Sequence, residues 1–155
     1  DINNIIKIAS FCKKNKRKFY VSNNFKLAIK LNLDGVYISA HNKDLKHNNY
    51  VLRKQFRIIG SAHNQYEIYF KKKQNVKELF LSPIFKTKER SPLGIYKIKN
   101  FIDLFYNTKI ALGGINRKNI KLLKLTKFKG FAAIEYFDPK KKAPNNWGLF
   151  YNLKV

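Results

Sequence analysis

Short apolar runs and helix-patterned stretches alternate along this chain, and that alternation constrains it to an α/β fold built on parallel strands. Strands are expected at residues 19–21, 36–39, 57–61, 78–82, 109–113 and 130–135. Helices are expected at 2–15, 25–33, 65–73, 95–106 and 117–127, with another at 43–56 interrupted by the polar His47-Asn48-Asn49. Strand starts recur at roughly 20-residue intervals, with one longer gap at the basic loop 86–94. Such βα units fit either a doubly wound sheet or part of a (β/α)8 barrel, and in both folds ligands sit at the C-terminal strand ends. Polar and small residues collect there: Ser22-Asn23-Asn24, Ser39 to Asn42, Ser61 to Asn64, Ser82 to Arg90, Gly113-Gly114 and Glu135. Any strand can end in a polar loop. Recurrence after every strand favours one shared site.

The run Ile110-Ala111-Leu112-Gly113-Gly114-Ile115-Asn116 is the sharpest local signal. A buried strand ends in two glycines, and Asn116 is a good N-cap for the periodic stretch that follows. A strand passing through Gly-Gly into a helix start offers free N–H groups and the positive end of a helix dipole to a phosphate. The plainer reading is a turn.

The formal net charge of +24 first suggests nucleic acid. Yet 28 of the 33 basic residues are Lys and only 5 are Arg, the preferred fork for bases and phosphates. Lys, Asn, Ile, Phe and Tyr rise together, as an AT-rich coding sequence would produce. The lysines are spread along the chain apart from the runs at 13–18, 71–73 and 140–142, and most of them read as solvated helix faces. No apolar stretch approaches a membrane span, and there is no secretory signal pattern. The single Cys12 cannot form an internal disulfide, so a cytoplasmic location is expected. Cys12 reads as a small helix-face residue, with a nucleophilic role as the alternative. The chain holds no Met and opens in mid-helix pattern.

Six segments, in order, resemble the thiamine phosphate synthase/TenI superfamily of (β/α)8 barrels. Tyr20-Val21-Ser22-Asn23-Asn24 with Leu27-Ala28 is similar to its I-V-N-D-x-x-x-L-A segment, and Asp34-Gly35-Val36-Tyr37-Ile38 to its A-D-G-V-H-L strand. Ile58-Ile59-Gly60-Ser61-Ala62-His63-Asn64 resembles I-L-G-x-S-x-H-T. Pro83-Ile84-Phe85-Lys86-Thr87-Lys88, followed by Pro92-Leu93-Gly94, resembles G-P-I-F-P-T-x-T-K and its sequel. Ala111-Leu112-Gly113-Gly114-Ile115-Asn116 resembles A-I-G-G-I-N, and Gly130-Phe131-Ala132-Ala133-Ile134 continues the match as A-D-G-V-A-V-I. The register starts this chain at the family's second helix, without strands 1 and 2 and their Q-x-R-x-K motif. The expectation is one N-terminally truncated domain over 1–155, an incomplete barrel of six parallel βα units with two exposed edges. A tail from 138 is expected to close with a short helix near 146–152.

The resemblance implies a transferase that joins hydroxymethylpyrimidine pyrophosphate to thiazole phosphate and releases pyrophosphate. Family aspartates that hold Mg²⁺ fall on Asn23 and Asn42, so any Mg²⁺ is expected to bind weakly, with Asp44 as a substitute ligand. Ser22, Asn23, Asn42, Ser61, Lys86, Thr87 and Arg90 are the implied substrate and phosphate contacts, with Lys88 beside them and Glu89 opposing them. Gly113 and Gly114 match the turn for the thiazole phosphate, whereas Glu135 and Tyr136 replace a small residue beside it. His63 matches the acid/base histidine of the TenI branch, a thiazole tautomerase, and imidazole suits proton transfer near neutrality. A structural histidine donating to a neighbouring strand end is the other reading. His41 and His47 are expected in a solvated loop, and Tyr37 in the core. The competing functions are a synthase with an altered site, a tautomerase, a non-catalytic binder of phosphorylated ligands and, more distantly, a basic nucleic-acid module. The expected partners are the two small phosphorylated substrates; a homo-oligomer is compatible with the sequence.

Overall fold

The computed structural model describes residues 1–105, 107–133, 136 and 151–152. Six strands run parallel in one sheet, in chain order: β1 (Tyr20–Ser22), β2 (Gly35–Ile38), β3 (Arg57–Ala62), β4 (Glu78–Leu81), β5 (Thr108–Leu112) and β6 (Gly130–Ala132). The six-unit parallel array expected from the sequence is what the chain forms. One expectation is corrected at the edge: β7 (Tyr151–Asn152) pairs antiparallel with β6, so β6 is not an open edge. The helix expected near 146–152 is strand at those two residues and otherwise lies outside the described residues, as does Glu135.

Both faces of the sheet are buried, as parallel strands require. Val36 and Ile38, Ile58 and Ala62, Leu79 and Leu81, and Ala111 point to one face and meet the helices. Ile59, Phe80 and Ile110 point to the other, flanked by Tyr20, Tyr37, Leu112 and Ala132. Tyr37 therefore lies in the core, where its hydroxyl donates to Ser61 Oγ at 2.7 Å.

Four α-helices are present among the described residues: α1 (Ile2–Lys14), α2 (Phe25–Lys30), α3 (Gln65–Lys73) and α4 (Ile95–Phe101). None is long and apolar enough to cross a membrane. Asn64 caps α3 by accepting from the Glu67 N–H at 2.8 Å, and Glu67 Oε2 accepts in return from the His63 N–H at 2.6 Å. This reciprocal cap fixes both the helix start and the chain leaving β3.

Two expected helices fail. Residues 43–56 hold only a 3₁₀ turn, Lys46–Asn49. There the Asn48 side chain donates to Lys73 O and His47 Nε2 lies 2.9 Å from Gln74 O, so tertiary partners replace a helical ladder. Residues 117–127 hold a 3₁₀ segment, Ile120–Leu125, because Asn116 Oδ1 accepts from the N–H groups of Lys118 and Asn119. Asn116 does cap, but it caps a tight turn rather than an α-helix.

Candidate active site

The C-terminal ends of β1 and β2 are tied by Asn23. Its backbone sits at φ 54°, a left-handed conformation that Asn tolerates. Its Oδ1 accepts from Ser39 N at 3.0 Å and from Asn42 Nδ2 at 3.0 Å, while its own Nδ2 donates to Ser39 Oγ at 3.1 Å and Ser22 Oγ at 3.2 Å. Three of the expected contacts, Ser22, Asn23 and Asn42, thus meet in one network with Ser39.

Beneath Asn42 lies a lysine that its sequence setting places on a solvated face. Lys71 is instead fully buried. Its Nζ donates to Asn42 O at 2.8 Å and to Gln74 Oε1 at 2.9 Å, and Gln74 Nε2 donates to Asn42 O and to Asp44 O. Burial pushes the Lys71 ammonium down to about 8, against a smaller opposing pull from Glu67. The signal lies in the spacing: Ile68 and Lys71 share the buried face of α3, three residues apart.

At the ends of β3 and β4 a cavity of about 420 Å³ is lined by His63, Ser82, Pro83, Thr87, Lys88, Glu89 and Arg90. This volume suits a small ligand. His63 Nδ1 lies 2.6 Å from Ser82 O, and a carbonyl can only accept, so Nδ1 carries the proton. The ring is thus the expected donor to a neighbouring strand end and also a wall of the cavity. Thr87 Oγ1 donates to Arg90 O and accepts from Arg90 N, closing the turn that carries Lys88 and Glu89. The cavity is electrostatically mixed, with Glu89 set against Lys88 and Arg90. Lys86 is not among its walls.

Gly113 and Gly114 stand at φ 90° and 67°. A Cβ on Gly113 would come within 2.8 Å of Pro83 Cα, and one on Gly114 within 2.6 Å of the Phe85 and Lys86 carbonyl oxygens. The loop after β4 is sealed to this turn by Ile84 N–H to Leu112 O and Phe85 N–H to Gly113 O. These glycines therefore admit the neighbouring backbone, and the 3₁₀ segment beyond them supplies little of the dipole expected. Ser61 is buried and accepts from Tyr37. His41 is exposed, with its Nδ1 4.0 Å from Glu67 Oε1. His47 is not in a solvated loop: it is buried, stacked on Phe25 at 4.2 Å between ring centroids. Tyr136 packs its ring against Phe131.

The family model for thiamine monophosphate synthase matches residues 2–137. The chain belongs to the thiamine monophosphate synthase family. It is 32% identical over 149 residues to the thiamine-phosphate synthase of Prochlorococcus marinus strain AS9601, covering 89% of this chain and 41% of that protein. It is 34% identical over 123 residues to the corresponding protein of strain CCMP1986, covering 77% of this chain and 35% of that one. This family member therefore spans less than half the length of these relatives. Its fold is similar to that of the thiamine phosphate pyrophosphorylase from Pyrococcus furiosus, with a TM-score of 0.66 at 18% identity, over 87% of this chain and 67% of that one.

Where the family resemblance implies carboxylates for Mg²⁺, this member offers the neutral amides of Asn23 and Asn42, a poor fit for a divalent ion. Asn42 O, Asn42 Oδ1 and Asn23 Oδ1 all already accept hydrogen bonds. Asp44 O accepts from Gln74 and Asp44 Oδ1 from Lys46 N. Among the described residues, no three His, Cys, Asp or Glu side chains gather as ligands.

Proposed function

We propose that this chain serves thiamine phosphate synthesis, coupling hydroxymethylpyrimidine pyrophosphate to thiazole phosphate at the C-terminal strand ends. Its family membership across residues 2–137 carries the reading. In the reaction, the bond from the pyrimidine methylene carbon to the pyrophosphate oxygen breaks. The thiazole nitrogen forms a new bond to that carbon. Negative charge grows on the departing pyrophosphate, so cations at the site favour the transition state. Cations border both cavities at these strand ends, Lys26 and Lys46 beside β1 and β2, and Lys88 and Arg90 beside His63. His63, with Nδ1 held by Ser82 O, keeps Nε2 for a proton. A cytoplasmic location goes with this reading. The test is direct: incubate the chain with both substrates and follow thiamine phosphate by chromatography. Product that depends on both substrates supports the reading; its absence from folded protein overturns it.

A second reading, a binder of phosphorylated ligands without turnover, has one observation in its favour. Asn23 and Asn42 bond each other through neutral amides. Tight binding of either substrate without product would select it.

A further inference from the structure

A cavity of about 280 Å³ at the ends of β1 and β2 is lined by residues that include Asn23, Lys26, Asn42, Asp44 and Lys46. Two carboxylates in the contact that Asn23 and Asn42 make would repel each other and call for a cation between them. Two amides need none, because Asn42 Nδ2 donates to Asn23 Oδ1 at 3.0 Å. Asn42 O, Asn42 Oδ1 and Asp44 Oδ1 accept other hydrogen bonds, and the buried Lys71 ammonium stands 2.8 Å from Asn42 O. A divalent ion brought to Asn42 would meet that fixed positive charge. Lys26 and Lys46 are both exposed and border the same cavity. A lysine ammonium binds phosphate as a mobile point charge. Asp44 opposes them as a carboxylate, held in place by the Lys46 backbone N–H, which donates to its Oδ1 at 2.8 Å.

We propose that this cavity binds a pyrophosphate-bearing ligand without a divalent cation, with the Asn23–Asn42 amide pair closing the strand ends and Lys26 and Lys46 supplying the countercharge. The proposal rests on the synthase reading for the nature of the ligand.

The experiment is calorimetric titration of the full chain with inorganic pyrophosphate, in EDTA and in Mg²⁺. The wild type is expected to bind equally in both. Lys26→Ala with Lys46→Ala weakens binding about tenfold, as loss of two charge-assisted contacts would. Lys121→Ala with Lys124→Ala, which removes the same charge from the exposed side of the Ile120–Leu125 segment, leaves it unchanged. Asn23→Asp with Asn42→Asp abolishes binding in EDTA and recovers it in Mg²⁺. Wild-type binding that requires Mg²⁺ overturns the proposal and leaves the synthase reading intact. Equal weakening by the two lysine pairs overturns it in favour of diffuse charge. Weakening confined to Lys88→Ala with Arg90→Ala overturns the assignment of the cations. Pyrophosphate binding in neither buffer overturns the proposal, and the two-substrate coupling assay then judges the synthase reading on its own.

Discussion

Gly114 lies against the carbonyl of Lys86 so closely that a Cβ at position 114 would stand 2.6 Å from its oxygen. The relationship joins the ends of β4 and β5, and it makes the Gly-Gly turn a packing device first. A side chain at 114 would report on this packing before it reported on any ligand.

Two alanine substitutions separate conformational strain from crowding. Gly94 stands at φ 74° and ψ 145°, a conformation almost reserved for glycine, and a Cβ there would meet nothing within 4 Å, so Gly94→Ala bears only backbone strain. That costs about 2 kcal/mol. Gly114→Ala adds the clash with two carbonyl oxygens and is expected to cost on the order of 3 kcal/mol. Denaturant unfolding of both variants measures the difference. Equal losses would contradict the close approach.

Lys71 makes stability depend on pH in a definite direction. Its folded pKa, about 8, lies below the ordinary 10.5. Between these values the unfolded chain holds a proton that the folded chain has shed, so stability from this group rises with pH across that window. Below pH 8 the folded chain carries a buried ammonium at a cost. Wild type compared with Lys71→Met cancels the titration of the other lysines. The melting-temperature difference is expected to move in favour of wild type between about pH 7 and 10, by calorimetry; a constant or opposite trend would contradict the assignment.

The two half-buried and buried histidines should be opposite tautomers. His63 presents Nδ1 to Ser82 O, whereas His47 presents Nε2 to Gln74 O. Each carbonyl requires a proton on the nitrogen facing it. Long-range ¹H–¹⁵N correlation of neutral rings should show Nδ1–H for His63 and Nε2–H for His47. If His63 also moves a proton, His63→Gln lowers turnover by about a hundredfold without altering the far-ultraviolet dichroism.

Strand order and most strand limits are legible in the sequence, because two-sided burial writes continuous apolar runs at β2, β3, β4 and β5. Helix α3 is readable to the residue, since Asn64 and Glu67 mark its start. The failures share one cause. At 43–56 and 117–127 the pattern looks helical, but asparagine side chains and distant carbonyls take the backbone groups. In the site, the Ser22, Asn23 and Asn42 grouping and the Thr87–Arg90 turn are visible as strand-end polarity. Lys71 is not, because a lysine within a lysine run reads as solvent-facing until its spacing from Ile68 is weighed. Nor does a glycine pair say whether phosphate or backbone needs the space.

The most direct test of the account is a ¹H–¹⁵N titration of the chain with thiazole phosphate and with hydroxymethylpyrimidine pyrophosphate. If the C-terminal strand ends form the site, shifts will concentrate at Asn23, Ser39, Asn42, His63 and the 87–90 turn. The basic groove at the opposite end, lined by Lys13, Arg17, Lys18 and Arg53 among others, will stay unmoved. Shifts centred on that groove, or spread evenly over the lysines, would contradict it.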